Sequence, residues 1–138
     1  MSETKPPRHI GRSIGALFAG FLLGAGLSLG TDEILAAIYP PWGQTMTDAL
    51  FLLATAYRCL YSVAGSYVIA RLAPDRPMWH AVVGGVVGLA VSISGAVVTW
   101  NQGLGPHWYP LALVVLAMPT AWAGGGLRVM QLRPRSAD

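Results

Sequence analysis

Long, nearly charge-free apolar stretches alternate along this chain with short polar segments, four of the first kind between five of the second. Residues 13–30 carry no charge, and eighteen helical residues cover about 27 Å at ~1.5 Å each, close to the ~30 Å hydrocarbon core of a bilayer. A first transmembrane helix is therefore predicted over about 13–31, with room to continue through residues 34–38 before Tyr39-Pro40-Pro41-Trp42-Gly43 breaks it. Thr45, followed three residues later by Asp48, resembles a capping box and opens a second span over 49–71, interrupted only by Arg58. Arg71-Leu72-Ala73-Pro74-Asp75-Arg76-Pro77 reads as a tight basic turn, with Pro77 in the first turn of the next helix. The fifty-one residues 77–127 contain no Asp, Glu, Lys or Arg, too many for one crossing. Asn101-Gln102-Gly103-Leu104-Gly105-Pro106 divides them into spans over 78–100 and 107–128. The expected fold is all-α: an integral-membrane four-helix bundle forming one membrane domain over 1–138, with polar tails at 1–12 and 129–138.

Composition supports this pattern. The 138 residues are 54% hydrophobic and 11% charged, with a mean hydropathy of +0.51, whereas roughly a quarter of a soluble domain is charged. Seventeen glycines suit membrane helices, where small residues let backbones approach. Eight of the nine Lys/Arg fall in three groups: Lys5, Arg8 and Arg12; Arg71 and Arg76; Arg128, Arg133 and Arg135. The gaps 31–48 and 101–107 hold none, so both termini are expected on the cytoplasmic side of a bacterial inner (plasma) membrane. Trp42, Trp100, Trp108 and Tyr109 should then line the outer interface, with Trp79 and Trp122 toward the inner one. The net charge of +3 implies contact with anionic membrane lipid rather than nucleic acid, because no aromatic-rich polar module accompanies the basic residues. A basic start and small residues at Ser28 and Gly30 also fit a secretory signal, but the apolar run exceeds the usual ~7–15 residues, so a retained helix is expected.

One charge lies inside a span. Arg58 follows Asp48 by ten residues and precedes Arg71 by thirteen, which puts its backbone ~15 Å and ~20 Å from the two boundaries. A charge at that depth costs about 2.5–3.5 kcal/mol, so it should face the bundle interior and meet a partner. Helical side chains lean toward their own N-terminus. Arg58 then reaches outward while Asp32 and Glu33, on a helix of opposite direction, lean inward, and an ion pair or water-bridged pair is predicted with one of them. Gly20, Gly24, Ser28 and Asp32 recur every four residues, a small-residue stripe that favours Asp32. Asp48, Thr55, Arg58, Ser62 and Gly65 form a corresponding stripe on the second span, and Gly84, Gly88, Ser92, Gly95 and Thr99 one on the third. Arg58 can therefore fix helix register through a network with Tyr57, Tyr61 and the first-helix acids, or bind an anionic substrate, a lipid headgroup or a gating partner.

Other candidates carry less chemistry. Pro119 in the fourth span frees a backbone carbonyl and predicts a bend, and Gly124-Gly125-Gly126 should loosen that helix's cytoplasmic end. His9, His80 and His107 fall on opposite sides of the membrane, so no metal site is expected. Cys59 is the only cysteine, which excludes an intrachain disulfide; without a histidine at its depth it reads as a buried inert thiol. No phosphate loop or nucleophile elbow occurs among the glycines, and neither a cofactor nor an enzymatic activity is expected.

The segment Ala64-Gly65-Ser66-Tyr67-Val68-Ile69-Ala70-Arg71-Leu72-Ala73-Pro74, with Tyr57-Arg58 before it and Trp79-His80 after it, resembles uncharacterised small four-helix bacterial inner-membrane proteins over most of the chain. The resemblance implies the fold and no activity. Small multidrug exporters share the length and helix count but rely on a glutamate deep in the first helix, and residues 16–26 contain no acid. The expectation is a non-enzymatic multi-pass membrane protein whose Arg58–acid network organises the bundle or a contact with lipid or protein. The partner could be a second copy of the chain, brought together through the glycine stripes. The alternative is a small transporter or channel for an anionic or neutral solute, using Arg58 and the Pro119 bend.

Overall fold

The structure, a computed structural model, describes residues 9–40, 42 and 45–134. It is all-α, with α1 (Ile10–Ile38), α2 (Asp48–Leu72), α3 (Pro77–Thr99) and α4 (Trp108–Leu132). All four are long and apolar enough to cross a membrane. Successive helices run antiparallel, so the turn between α2 and α3 shares one end of the bundle with His9 and Pro134. This arginine end holds Arg12, Arg71, Arg76, Arg128 and Arg133; the opposite, tryptophan end holds Trp42, Trp100 and Trp108.

Small residues make the interior. Ala16, Ala54, Ala81 and Ala121 are at most 2% exposed, and no large side chain among the described residues is fully buried, whereas Leu22, Leu60, Val97 and Val115 are each at least 68% exposed. In water such an outward apolar face would be a large unfavourable patch; against lipid tails it costs nothing, and small residues are what let helices pack there. α2 is central and touches the other three helices. Its tightest approach to α1 is at Gly20 and Gly65, where a methyl on Gly65 would stand 2.7 Å from the Gly20 carbonyl oxygen.

Several boundaries differ from the periodicity. α1 continues to Ile38 through Thr31-Asp32-Glu33, because no Gly or Pro interrupts residues 31–38 and the Thr31 hydroxyl donates to the Leu27 carbonyl at 2.7 Å. It stops where Pro40 forces Tyr39 into an extended conformation. The Thr45 capping box does not form. Thr47 is the N-cap of α2, and the Asp48 carboxylate instead accepts the Trp108 indole N–H at 3.3 Å. α3 opens on Pro77, after Arg76 adopts a left-handed φ of 40°. α4 runs unbroken past Gly124-Gly125-Gly126 to Leu132, so these glycines do not loosen its end. Gly124 and Gly125 are points of closest approach: a methyl on Gly124 would meet the Val63 carbonyl oxygen and stand 2.7 Å from the Tyr67 amide nitrogen, and one on Gly125 would lie 2.6 Å from Ala81 Cβ. Trp42 is not an interfacial anchor either. It is 7% exposed, folded back by a Trp42 N–H to Tyr39 carbonyl bond of 2.9 Å and packed on Ala54 and Tyr57.

Candidate functional site

Arg58 and Asp32 meet. The Arg58 Nη2–H donates to Asp32 Oδ2 at 2.5 Å, and the Tyr57 hydroxyl donates to Asp32 Oδ1, so two consecutive residues of α2 occupy both oxygens of one α1 carboxylate. Tyr57 is held for this by Trp42 and Tyr61, with ring centroids 6.2 Å and 5.7 Å away. One turn further, the Tyr61 and Thr31 hydroxyls lie 2.8 Å apart. Thr31 spends its only proton on Leu27, so Tyr61 is the donor. Together these residues tie α1 to α2 over about one turn.

The remaining sequence candidates are placed elsewhere. Glu33 is exposed, a ~100° helical step round from Asp32, and takes no part in the network. Thr55 is buried and donates to the Phe51 carbonyl at 2.9 Å, away from Asp32. Pro119 lies inside the continuous α4 and is exposed. His80 is buried at the arginine end, 2.9 Å from the Ser13 hydroxyl, while His107 stacks on Trp100 at 4.1 Å at the other end. No group of three or more His, Cys, Asp or Glu converges among the described residues.

Ser62 belongs to a feature that no periodicity displayed, a cleft of about 400 Å³ between α1 and α3. The two helices touch at the arginine end, where Ser13 meets His80 and Leu17 covers Gly84. Beyond that they part, and their edges, Leu29 on α1 and Val91 on α3, are 65% and 64% exposed. α2 forms the floor: Arg58, Ser62 and Ser66 recur every four residues along it, and Cys59 is half-buried beside them rather than enclosed in the core. Ser28 and Ser92 face them from the two edges, and Leu116 and Thr120 of α4 close the far wall. The cleft is thus apolar and glycine-lined along its sides, with a strip of hydroxyls on its floor and a guanidinium at its tryptophan-side end. The Arg58 Nε–H is buried there and has no acceptor among the described residues.

Two further clusters escaped the sequence. Ser13 and His80 join α1 to α3, and Tyr67, Arg71, Arg128 and Gln131 join α2 to α4. Their only sequence signals are helical spacings, Tyr67 to Arg71 and Arg128 to Gln131, with nothing to say that the pairs would face each other. No protein-family model matches the chain, and it matches no curated protein and no solved structure.

Proposed function

We propose that this is a non-enzymatic, multi-pass protein of the bacterial inner (plasma) membrane with both termini in the cytoplasm. In this reading the Asp32–Arg58–Tyr57 network fastens α1 to α2 and the α1/α3 cleft shelters one acyl chain of a membrane lipid. The membrane placement is supported by the inside-out distribution of large apolar residues and by the gathering of arginines at one end. The arginine end then faces the cytoplasm.

The cleft carries the functional part of the proposal. Its volume of about 400 Å³ lies within the ~300–1,000 Å³ range of small-molecule sites. From Arg58 to Ile69 its floor is eleven residues long, about 16 Å, or half of a ~30 Å hydrocarbon core. That is the depth of one leaflet. A chain lying there meets glycine and leucine on its sides and the Ser62 and Ser66 hydroxyls on its floor.

The test is to fill the cleft without disturbing its walls. A Cβ at Gly88 would stand an ordinary 3.8 Å from Phe21 Cε1, so Gly88→Leu can be accommodated while projecting into the space. Native mass spectrometry of detergent-purified protein should show bound phospholipid on the wild type and at least about fivefold less on Gly88→Leu and Ser62→Leu, at unchanged melting temperature. Equal lipid on wild type and both variants would overturn the assignment.

A further inference from the structure

At the arginine end, α2 and α4 run parallel and nearly touch across Gly124. Tyr67 and Arg71 stand one turn apart on α2, facing Arg128 and Gln131 on α4. The Tyr67 hydroxyl donates to Gln131 Oε1 at 2.7 Å, Arg71 Nη1–H donates to the Tyr67 oxygen at 3.3 Å, and Arg128 Nη1–H donates to Gln131 Oε1 at 3.4 Å. Two guanidiniums are therefore held to a neutral tyrosine–glutamine pair. Neither makes an ion pair among the described residues, where the only one is Arg58–Asp32. Asp75, the acid nearest Arg71 in sequence, is exposed and makes no ion pair with either of them. Arg128 also buries its Nε–H with no acceptor among the described residues, which leaves its Nη groups as the donors that can reach a ligand.

We infer that this cluster binds the phosphate of an anionic phospholipid headgroup. Arginine donors in a fixed fork match phosphate oxygens, and basic pockets between helices on the cytoplasmic side recognise anionic headgroups. Arg71 and Arg128 lie one and four residues before their helices end, the level at which a spanning helix meets headgroups. The tethers separate this cluster from a merely cationic surface: Tyr67 and Gln131 fix two long side chains that would otherwise lose freedom on binding. The inference rests on the membrane placement proposed above but is independent of the cleft.

The test uses the full-length chain in lipid nanodiscs, with phosphatidylglycerol and phosphatidylcholine as probes and native mass spectrometry as readout. A surface arginine contributes about a fivefold preference for anionic lipid wherever it lies. A built site should prefer phosphatidylglycerol by more than the roughly 25-fold that two such arginines give by general attraction, and lose most of that preference in Arg71→Gln/Arg128→Gln. Two comparisons distinguish it from general attraction. Tyr67→Phe leaves the charge unchanged and should still weaken the preference about threefold or more, whereas Arg133→Gln removes a charge outside the cluster and should have the smaller effect. Melting temperatures check that each variant folds; if Arg128→Gln does not, Arg128→Lys, which keeps charge and loses the fork, replaces it and should also lose preference. A Tyr67→Phe protein with undiminished preference, or Arg133→Gln equal to Arg128→Gln, would overturn the site. So would glycerol phosphate in solution binding as tightly as the lipid, which would make this a solute site. A chain that cannot be reconstituted into bilayers at all would instead refute the membrane placement.

Discussion

Removing the partner of Arg58 should cost far more than removing both partners. Asp32→Ala leaves a guanidinium inside an apolar bundle, where an uncompensated charge costs about 2.5–3.5 kcal/mol and breaking a fully buried pair about 3–5 kcal/mol. The two side chains retain 31% and 25% exposure, so the lower part of that range applies and about 2–3 kcal/mol is expected. Arg58→Leu should cost about 1–2 kcal/mol, since it strands Asp32 but leaves it the Tyr57 hydroxyl. The double variant Asp32→Ala/Arg58→Leu should return to within about 1 kcal/mol of wild type, because a buried pair exchanged for apolar groups is close to neutral. The implied coupling is about 2 kcal/mol or more, well above the ~0.5 kcal/mol within which distant sites add. Reversible unfolding in mixed micelles, followed by tryptophan fluorescence, measures it directly, since Trp42 packs on Tyr57. Glu33→Gln serves as control and should change stability by less than about 0.5 kcal/mol. Single-variant costs that simply add in the double would refute the claim that this pair fastens α1 to α2.

Glycine substitutions should divide by position. Gly124→Ala forces a methyl against the α2 backbone and should destabilise by about 1–3 kcal/mol, whereas Gly26→Ala meets nothing within 4 Å and should be neutral or stabilising by up to about 1 kcal/mol in the same unfolding assay. Orientation can be read by cysteine labelling in a Cys59→Ser background. A membrane-impermeant maleimide applied to spheroplasts should label Thr45→Cys and leave Asp75→Cys untouched until the membrane is opened; labelling of both, or of Asp75→Cys alone, would refute cytoplasmic termini. Both positions are exposed in the structure, so access to reagent depends on the side of the membrane.

The four helices were legible because apolar runs and their proline and glycine breakers are local signals, and Pro77 and the 101–106 turn act where they stand in sequence. The choice of Asp32 over Glu33 was legible for a related reason: Gly20 and Gly24 lie on the face of α1 that meets α2, and a four-residue step carries that face to Asp32 and not to its neighbour. What local pattern could not express was divergence between helices. The stripe Gly84-Gly88-Ser92 reads as a packing seam, and Gly84 does pack against Ile69, but Gly88 meets only the Phe21 ring at 3.8 Å and both it and Ser92 border the cleft, because α1 and α3 part from that level on. Trp42 obeyed the turn that folds it inward rather than the interfacial preference of its side chain. Gly124 and Gly125 looked like a flexible end because nothing in a run of glycines says which helix will press against it.

The way α1 is attached explains how one helix can border a cleft and still hold its place. Only Ala16 and Gly20 of its 29 residues are buried, so packing against small residues cannot by itself secure it. Its polar contacts lie near its two ends: Arg12 to the Leu72 carbonyl and Ser13 to His80 on one side, Thr31 to Tyr61 and Asp32 to Arg58 and Tyr57 on the other. Hydrogen bonds in hydrocarbon average about 0.6 kcal/mol each, so no single one suffices, and the charge-assisted bond to Asp32 is the strongest at its end. Between these attachments the Gly20–Gly65 crossing fixes the distance to α2, and the side facing α3 is left without a protein neighbour beyond Phe21. The ion pair and the cleft are therefore one design. A helix pinned near its ends by directional bonds and packed on α2 between them needs no partner on its α3 side, and that open side is the space the proposed lipid chain would fill.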